Sequence, residues 1–147
     1  MNKRGGFSLI EIMIVIAIIS TLAVIAIVSM MRSRMNANEM AAITTMRTIS
    51  NAAQNYYARA NPHTFPLELD DMAKPDSNPP YIDSSIADGQ KQGYVFAYVF
   101  VDEDTFTCNA NPSNPGKTGR RYFYVDETGR MTANPDGPAG PTDPQVE

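Results

Sequence analysis

Apolar and polar positions divide this chain into blocks. From Ile12 to Met31, twenty consecutive positions carry no charge. That is the length a helix needs to cross the roughly 30 Å hydrocarbon core of a bilayer. Neither proline nor glycine occurs between Phe7 and Ala60, which predicts one uninterrupted helix about 80 Å long at 1.5 Å per residue. Its first part, residues 7–31, is apolar on all sides, as in a membrane span or the buried core of a fibre. Arg32 and Arg34 mark the membrane exit. Beyond them, over residues 32–60, Met35, Ala42, Ile49 and Tyr56 recur every seven positions, interleaved with Met46 and Ala53. This is one apolar stripe on a helix otherwise rich in Asn, Thr, Ser and Gln. Ala42 and Ala53 are too small for a free coiled-coil seam, so a sheet lying close against the helix is expected. Tyr56 and Tyr57 are placed to cap that core.

Asn61-Pro62 should end the helix. Residues 61–92 read as a connecting loop with short turns around Leu67–Met72 and Asp83–Ala87, the second N-capped by Asp83. Pro75, Pro79 and Pro80 argue against a strand between them. Residues 93–133 then alternate. In Tyr94–Val101, Tyr94, Phe96, Tyr98 and Phe100 share one face, and Val95, Ala97, Val99 and Val101 the other. Two apolar faces predict a central strand. Thr105–Ala110 comes after the acidic turn Asp102-Glu103-Asp104. Arg121–Val125 and Arg130–Ala133 make a hairpin across Asp126-Glu127-Thr128-Gly129, with Gly129 supplying a positive φ. Residues 134–147 contain four prolines and read as a flexible tail. The fold class is α+β. A long N-terminal helix, membrane-spanning in its first half and amphipathic in its second, packs on a three- to four-stranded antiparallel sheet.

Composition sharpens this division. The 147 residues have a mean hydropathy of −0.28, so the chain beyond Met31 must be distinctly polar. Twelve Lys+Arg stand against 16 Asp+Glu, a net charge of −4, and the one dense basic cluster is Arg120-Arg121. Such a surface repels phosphate backbones, which removes nucleic acid as a default partner. The single cysteine, Cys108, cannot form an internal disulfide, and inside a β-like run it reads as a small buried apolar residue. No catalytic residues can be assembled: the lone histidine, His63, sits in a Pro-flanked loop and is expected to be exposed. No Cys/His metal set and no cofactor motif occurs. Asp102, Glu103, Asp104, Asp126 and Glu127 could hold Ca²⁺ only if their turns met, and read first as solvated hairpin turns.

The start of the chain is more specific. Met1-Asn2-Lys3-Arg4 is a basic leader, with Gly5-Gly6-Phe7-Ser8-Leu9-Ile10-Glu11 next and then the apolar run. A secretory signal would have a shorter apolar stretch and a polar cleavage region. Lipoprotein processing would need a cysteine just after the run. A plain signal anchor would use Lys3 and Arg4 for orientation but has no use for Gly5-Gly6 or for Glu11. A carboxylate at bilayer depth costs on the order of 2.5–3.5 kcal/mol and reads as functional, with a partner to be found.

Gly6-Phe7-Ser8-Leu9-Ile10-Glu11 after a short basic leader resembles the processing site of type IV pilins and pseudopilins. Thr118–Asp126 is similar, less specifically, to the sheet of pilin heads. The resemblance implies cleavage between Gly6 and Phe7 by a membrane-embedded prepilin peptidase, with N-methylation of the new terminal Phe7. Gly6 is compatible with that, since an extended backbone without a side chain enters a protease cleft unhindered. Two partners are open for Glu11: the amine of its own Phe7, four positions away, or the Phe7 amine of a neighbouring subunit. The resemblance implies the second, which makes Phe7 and Glu11 the assembly residues.

Also implied are identical subunits in a helical filament, an inner-membrane assembly platform with a cytoplasmic ATPase, residence in the bacterial inner membrane before assembly, and no enzymatic activity. The leading expectation is a structural subunit of an extracellular type IV pilus. The alternative is a pseudopilin of a type II secretion system, forming a periplasmic pseudopilus; a third reading is a single-pass anchored binding domain that never polymerises. Three features depart from the family's patterns. The calcium-binding C-terminal loop of major pseudopilins, with its aromatic-proline signature, is not seen in the tail. The two-cysteine loop of many type IV pilins cannot form. Many pilins also carry a helix-breaking proline in the distal part of the apolar segment; Ser20–Val28 has none.

Overall fold

A computed structural model describes residues 7–74 and 79–146. The leader, with Lys3, Arg4 and Gly6, lies outside the described residues, as do positions 75–78 of the expected connecting loop, Pro75 among them. The elements in chain order are α1 (Leu9–Arg59), α2 (Leu69–Ala73), α3 (Ser84–Ala87), β1 (Gln90–Lys91), β2 (Tyr94–Asp102), β3 (Thr105–Pro112), β4 (Tyr122–Asp126) and β5 (Met131–Asn134). The chain divides into two compact units, residues 1–34 and 35–147.

In the unit from Met35 onward, α1 turns one face inward. Glu39, Ala42, Ile43, Thr45, Met46, Ile49, Ser50, Ala52 and Ala53 are buried, a stripe with the 3.6-residue period of an amphipathic helix. Against them lie Tyr94, Phe96, Phe106, Cys108, Ala110, Phe123, Val125 and Met131 from the sheet. Ala53 and Ala110 are fully buried, so small residues do stand where helix and sheet share the core. Tyr56 and Tyr57 pack on its edge. Tyr57 stacks on Phe65 with ring centroids 4.7 Å apart, and its hydroxyl donates to Asp104 at 2.7 Å.

The helix ends at Arg59, before Asn61-Pro62. In the connection, Asp83 accepts from the Ser85 amide and caps α3, while Asp71 accepts from the Leu67 and Glu68 amides and closes the start of α2. Leu69, Met72, Ile82 and Ile86 carry these two short helices into the core.

The sheet is an antiparallel meander in the order β1-β2-β3-β4-β5. Its five strands exceed the three or four expected, because Gln90 and Lys91 pair with Val95 and Tyr94 inside the stretch read as loop. Gly129 takes φ +75° in the β4–β5 turn. Gly119 lies beneath the Tyr94 ring, where any Cβ would collide with it.

Two expectations are corrected. β2 is not covered on both faces: Val99 and Val101 are 52% and 57% exposed. β1 pairs only its two residues, and no second layer among the described residues covers the Val95–Val101 face. An apolar face is therefore not a buried one here. The tail from Asn134 is ordered rather than loose up to Val146. Thr132 bridges to Gln145, the Ala133 amide donates to the Pro144 carbonyl, and the Val146 amide donates to that of Met131. Asp143 gathers the Asn134 side chain and the Gly140 amide, and Ala139 is buried. The exposed edge of β5 offers backbone groups that the tail satisfies, so its prolines break regular structure without freeing the chain.

One polar group sits inside the helix stripe. Glu39 is 6% exposed. Its carboxylate accepts from the Arg120 amide at 2.9 Å, the Arg121 amide at 3.3 Å and Arg121 Nε at 2.8 Å. Beside it, Asn38 Nδ2 donates to the Thr118 carbonyl at 2.8 Å. Burial alone would raise the Glu39 pKa. The hydrogen bonds from the Arg120 amide and from Arg121, with the positive charge of Arg121, outweigh it and hold the carboxyl below its ordinary range,. A group whose folded pKa is depressed contributes stability above its unfolded pKa and loses it as pH falls through the folded value. Glu39→Gln should therefore destabilise the chain by on the order of 1–3 kcal/mol at neutral pH. In urea titrations of the detergent-solubilised chain, that gap should shrink as pH falls below about 4; a gap independent of pH would show that the charge plays no part.

Candidate functional site

The residues expected to carry function lie at the start of α1. Phe7 and Ser8 precede the helix, and the Ser8 carbonyl accepts from the amides of Glu11 at 3.1 Å and Ile12 at 3.3 Å, which sets the first turn. Glu11 lies in that turn, where the positive end of the helix dipole favours a carboxylate. It is exposed and makes no ion pair among the described residues. Phe7 is also exposed, at 79%. Gly6, the third residue of the expected site, is outside the described residues.

Around this turn the surface is apolar without interruption. Every large apolar side chain from Phe7 to Met31 is at least 46% exposed. The most apolar 18-residue window of α1 has a mean hydropathy of 2.9, and none of it is buried. Covering one such side chain is worth about 1.5–3 kcal/mol, so the whole segment gains on the order of tens of kcal/mol by leaving water. Its polar groups suit an apolar surrounding. Ser20 Oγ donates to the Ile16 carbonyl at 2.8 Å and Thr21 Oγ1 to that of Ala17 at 2.9 Å, leaving neither hydroxyl proton without an acceptor. By length and composition the helix can cross a membrane.

Residues 1–30 match a family described as the prokaryotic N-terminal methylation motif. Over 145 residues, 97% of this chain and 89% of the relative, the sequence is 27% identical to the type II secretion system core protein G of Escherichia coli (strain K12). Both likenesses support the reading of this chain as a type IV pilin or pseudopilin. The second unit, with a helix packed on an antiparallel sheet, has a pilin-like fold.

Among the described residues the remaining reactive side chains are dispersed. Cys108 lies fully buried on β3, and burial pushes its thiol up to about 12, so it stays protonated and inert at neutral pH. His63 is exposed, stacked on Tyr57 with ring centroids 5.4 Å apart. Asp102 accepts from the Asp104 amide within its turn, Asp126 accepts from Thr128, and Asp104 is held by Tyr57. Each of these carboxylates is engaged locally. Among the described residues no three His, Cys, Asp or Glu come together to hold a metal ion. Sequence reading passes over Glu39, although it falls three residues before Ala42, within the helix stripe. A charge at a core position of an amphipathic helix is the signal that identifies it.

Cys108 offers a check on the packing. A thiol reagent at mildly alkaline pH should leave the native chain unlabelled and modify one site after denaturation, read by mass. Rapid labelling of the native chain would contradict the burial of β3.

Proposed function

We propose that this chain is the structural subunit of a type IV pilus, assembled through α1 after prepilin peptidase cuts between Gly6 and Phe7 and the new Phe7 amine is methylated. The observation that carries the reading is the wholly exposed apolar segment of α1, headed by Phe7 and Glu11. In the inner membrane, lipid covers that segment. In the fibre, the same segments of sister subunits do, so the subunit passes between two apolar surroundings.

Glu11 is the assembly residue in this reading. In lipid its carboxylate lacks a partner; in the bundle it meets the Phe7 amine of a neighbouring subunit. A buried charge that is satisfied only at one depth penalises misplaced registers by several kcal/mol. An inner-membrane platform and its cytoplasmic ATPase supply the lift. Lys3 and Arg4 keep the leader on the cytoplasmic side, where the peptidase works.

A second reading, a pseudopilin of a type II secretion system, is favoured by the likeness to core protein G, which runs over 97% of this chain. There the fibre is periplasmic and short. The pilus reading is favoured by the tail, which has no aromatic-proline signature. Electron microscopy at native expression separates them: long shed fibres containing this chain support the pilus, and loss of protein secretion without surface fibres in a deletion strain supports the pseudopilus.

Two measurements test the shared part of the proposal. Intact mass of the subunit from purified fibres should correspond to loss of residues 1–6 and gain of one methyl group; an uncut chain in fibres would falsify the processing step. Glu11→Leu should insert in the membrane and be cleaved, yet lower fibre yield by about a hundredfold, as expected for loss of a buried pair worth several kcal/mol. Normal incorporation of that variant would favour an anchored domain whose Glu11 has no role in assembly.

A further inference from the structure

The meander sorts charge to opposite ends of the carboxy-terminal unit. β2 and β4 run in one direction and β3 in the other, so the β2–β3 and β4–β5 turns share one end. Those turns hold Asp102, Glu103, Asp104, Asp126 and Glu127 against one basic residue, Arg130, whose guanidinium donates to the Pro141 carbonyl. The β3–β4 connection, residues 113–121, lies at the other end. It holds Lys117, Arg120 and Arg121 and no acidic residue. A strand of eight residues, β3, separates the two ends by about 26 Å at 3.3 Å per residue. That exceeds the roughly 8 Å Debye length at physiological salt, so one end does not neutralise the other.

Most of these charges have internal partners. Asp102 and Asp126 close their own turns, Asp104 holds Tyr57, and Arg121 holds Glu39. The side chains of Glu103 and Glu127 at the acidic end, and of Lys117 and Arg120 at the basic end, make no hydrogen bond or ion pair among the described residues. Glu103, Lys117 and Arg120 are exposed or half-exposed. Two uncommitted charges of each sign thus stand at opposite ends of one rigid sheet.

Each end also has apolar surface beside its charges. Val99 and Val101 are exposed next to the acidic β2–β3 turn. Near the basic end an open groove is lined by Met40, Pro135, Pro144 and Val146, with Arg47 and Arg121 at its rim. Apolar surface bordered by complementary charge is the usual make-up of a protein interface.

From this we infer that the acidic end of one subunit docks on the basic end of another, Glu103 and Glu127 facing Lys117 and Arg120. The occupant is a second copy of this chain, since each end complements the other in sign. The two patches differ, so the contact is head-to-tail and propagates instead of closing into a dimer. The inference rests on the fibre-subunit reading and deepens it: α1 supplies cohesion, and the charged ends select the angular and axial position of each added subunit.

The test uses full-length chains in cells that assemble the unaltered chain. One variant reverses the two uncommitted acidic charges, Glu103→Lys with Glu127→Lys. The other reverses one uncommitted basic charge and removes the second, Lys117→Glu with Arg120→Gln, the milder change at 120 sparing the neighbourhood of Glu39. Each alone should lower fibre yield about tenfold, because the uncommitted side chains at its two ends then no longer attract and include like charges. Co-expressed, the two should restore fibres in which both occur. Resistance of Cys108 to thiol reagents in the membrane-held subunits verifies that each variant is folded; a variant that fails this is replaced by its Gln counterparts, with a smaller loss and the same rescue expected. Unchanged yield for either folded variant, or a loss that co-expression does not repair, overturns the inference. Failure of the unaltered chain to form fibres would instead count against the fibre-subunit reading itself.

Discussion

An α-helix satisfies its own backbone, so it can be apolar on every side, but only where another apolar phase covers it. That constraint governs this chain. Residues 9–31 of α1 present isoleucine, valine, leucine and methionine in all directions, and nothing among the described residues covers them. From Met35 onward the same helix is apolar along one stripe only, which the sheet of the same chain completes. The first part must be completed from outside and the second is completed from within. The proposed passage of the subunit from lipid to fibre uses this division.

Glu39 gives the second unit its specificity. Hydrophobic contact between a helix and a sheet tolerates sliding, because apolar surfaces have no direction. A buried carboxylate that takes two amides and a guanidinium tolerates little, since any shift leaves a buried charge unpaired. The group it binds is the β3–β4 connection, so the same contact that locates the helix also shapes the loop bearing Lys117 and Arg120. Core register and surface charge are coupled through one residue.

Much of this is legible in the sequence because it is local. The stripe of Met35, Ala42, Met46, Ile49, Ala53 and Tyr56 comes from helical spacing. Asp83 and Gly129 sit where a cap and a left-handed turn are required, and Gly6-Phe7 with Glu11 stands out against an apolar run that otherwise excludes charge. The parts that mislead are those whose state depends on a distant neighbour. Two apolar faces suggest that β2 is covered on both, but no second layer among the described residues lies over Val99 and Val101. Four prolines suggest a loose tail, but the free edge of β5 supplies partners for its backbone. Gln90 and Lys91 have no strand-like pattern and pair because Val95 and Tyr94 lie opposite.

Periodicity and composition are set by the order of residues along the chain, and they suffice to place the apolar and amphipathic parts of the helix and most of the strands. Each is a property of neighbours within a turn or a pleat. The engagement of Glu39 with Arg121, 82 residues away, the return of Gln145 to Thr132 and the sorting of acidic and basic turns to opposite ends of the sheet arise only once the chain has folded back on itself. Their energies come from burial and pairing between segments that are remote in sequence, and no local pattern records which segments will meet.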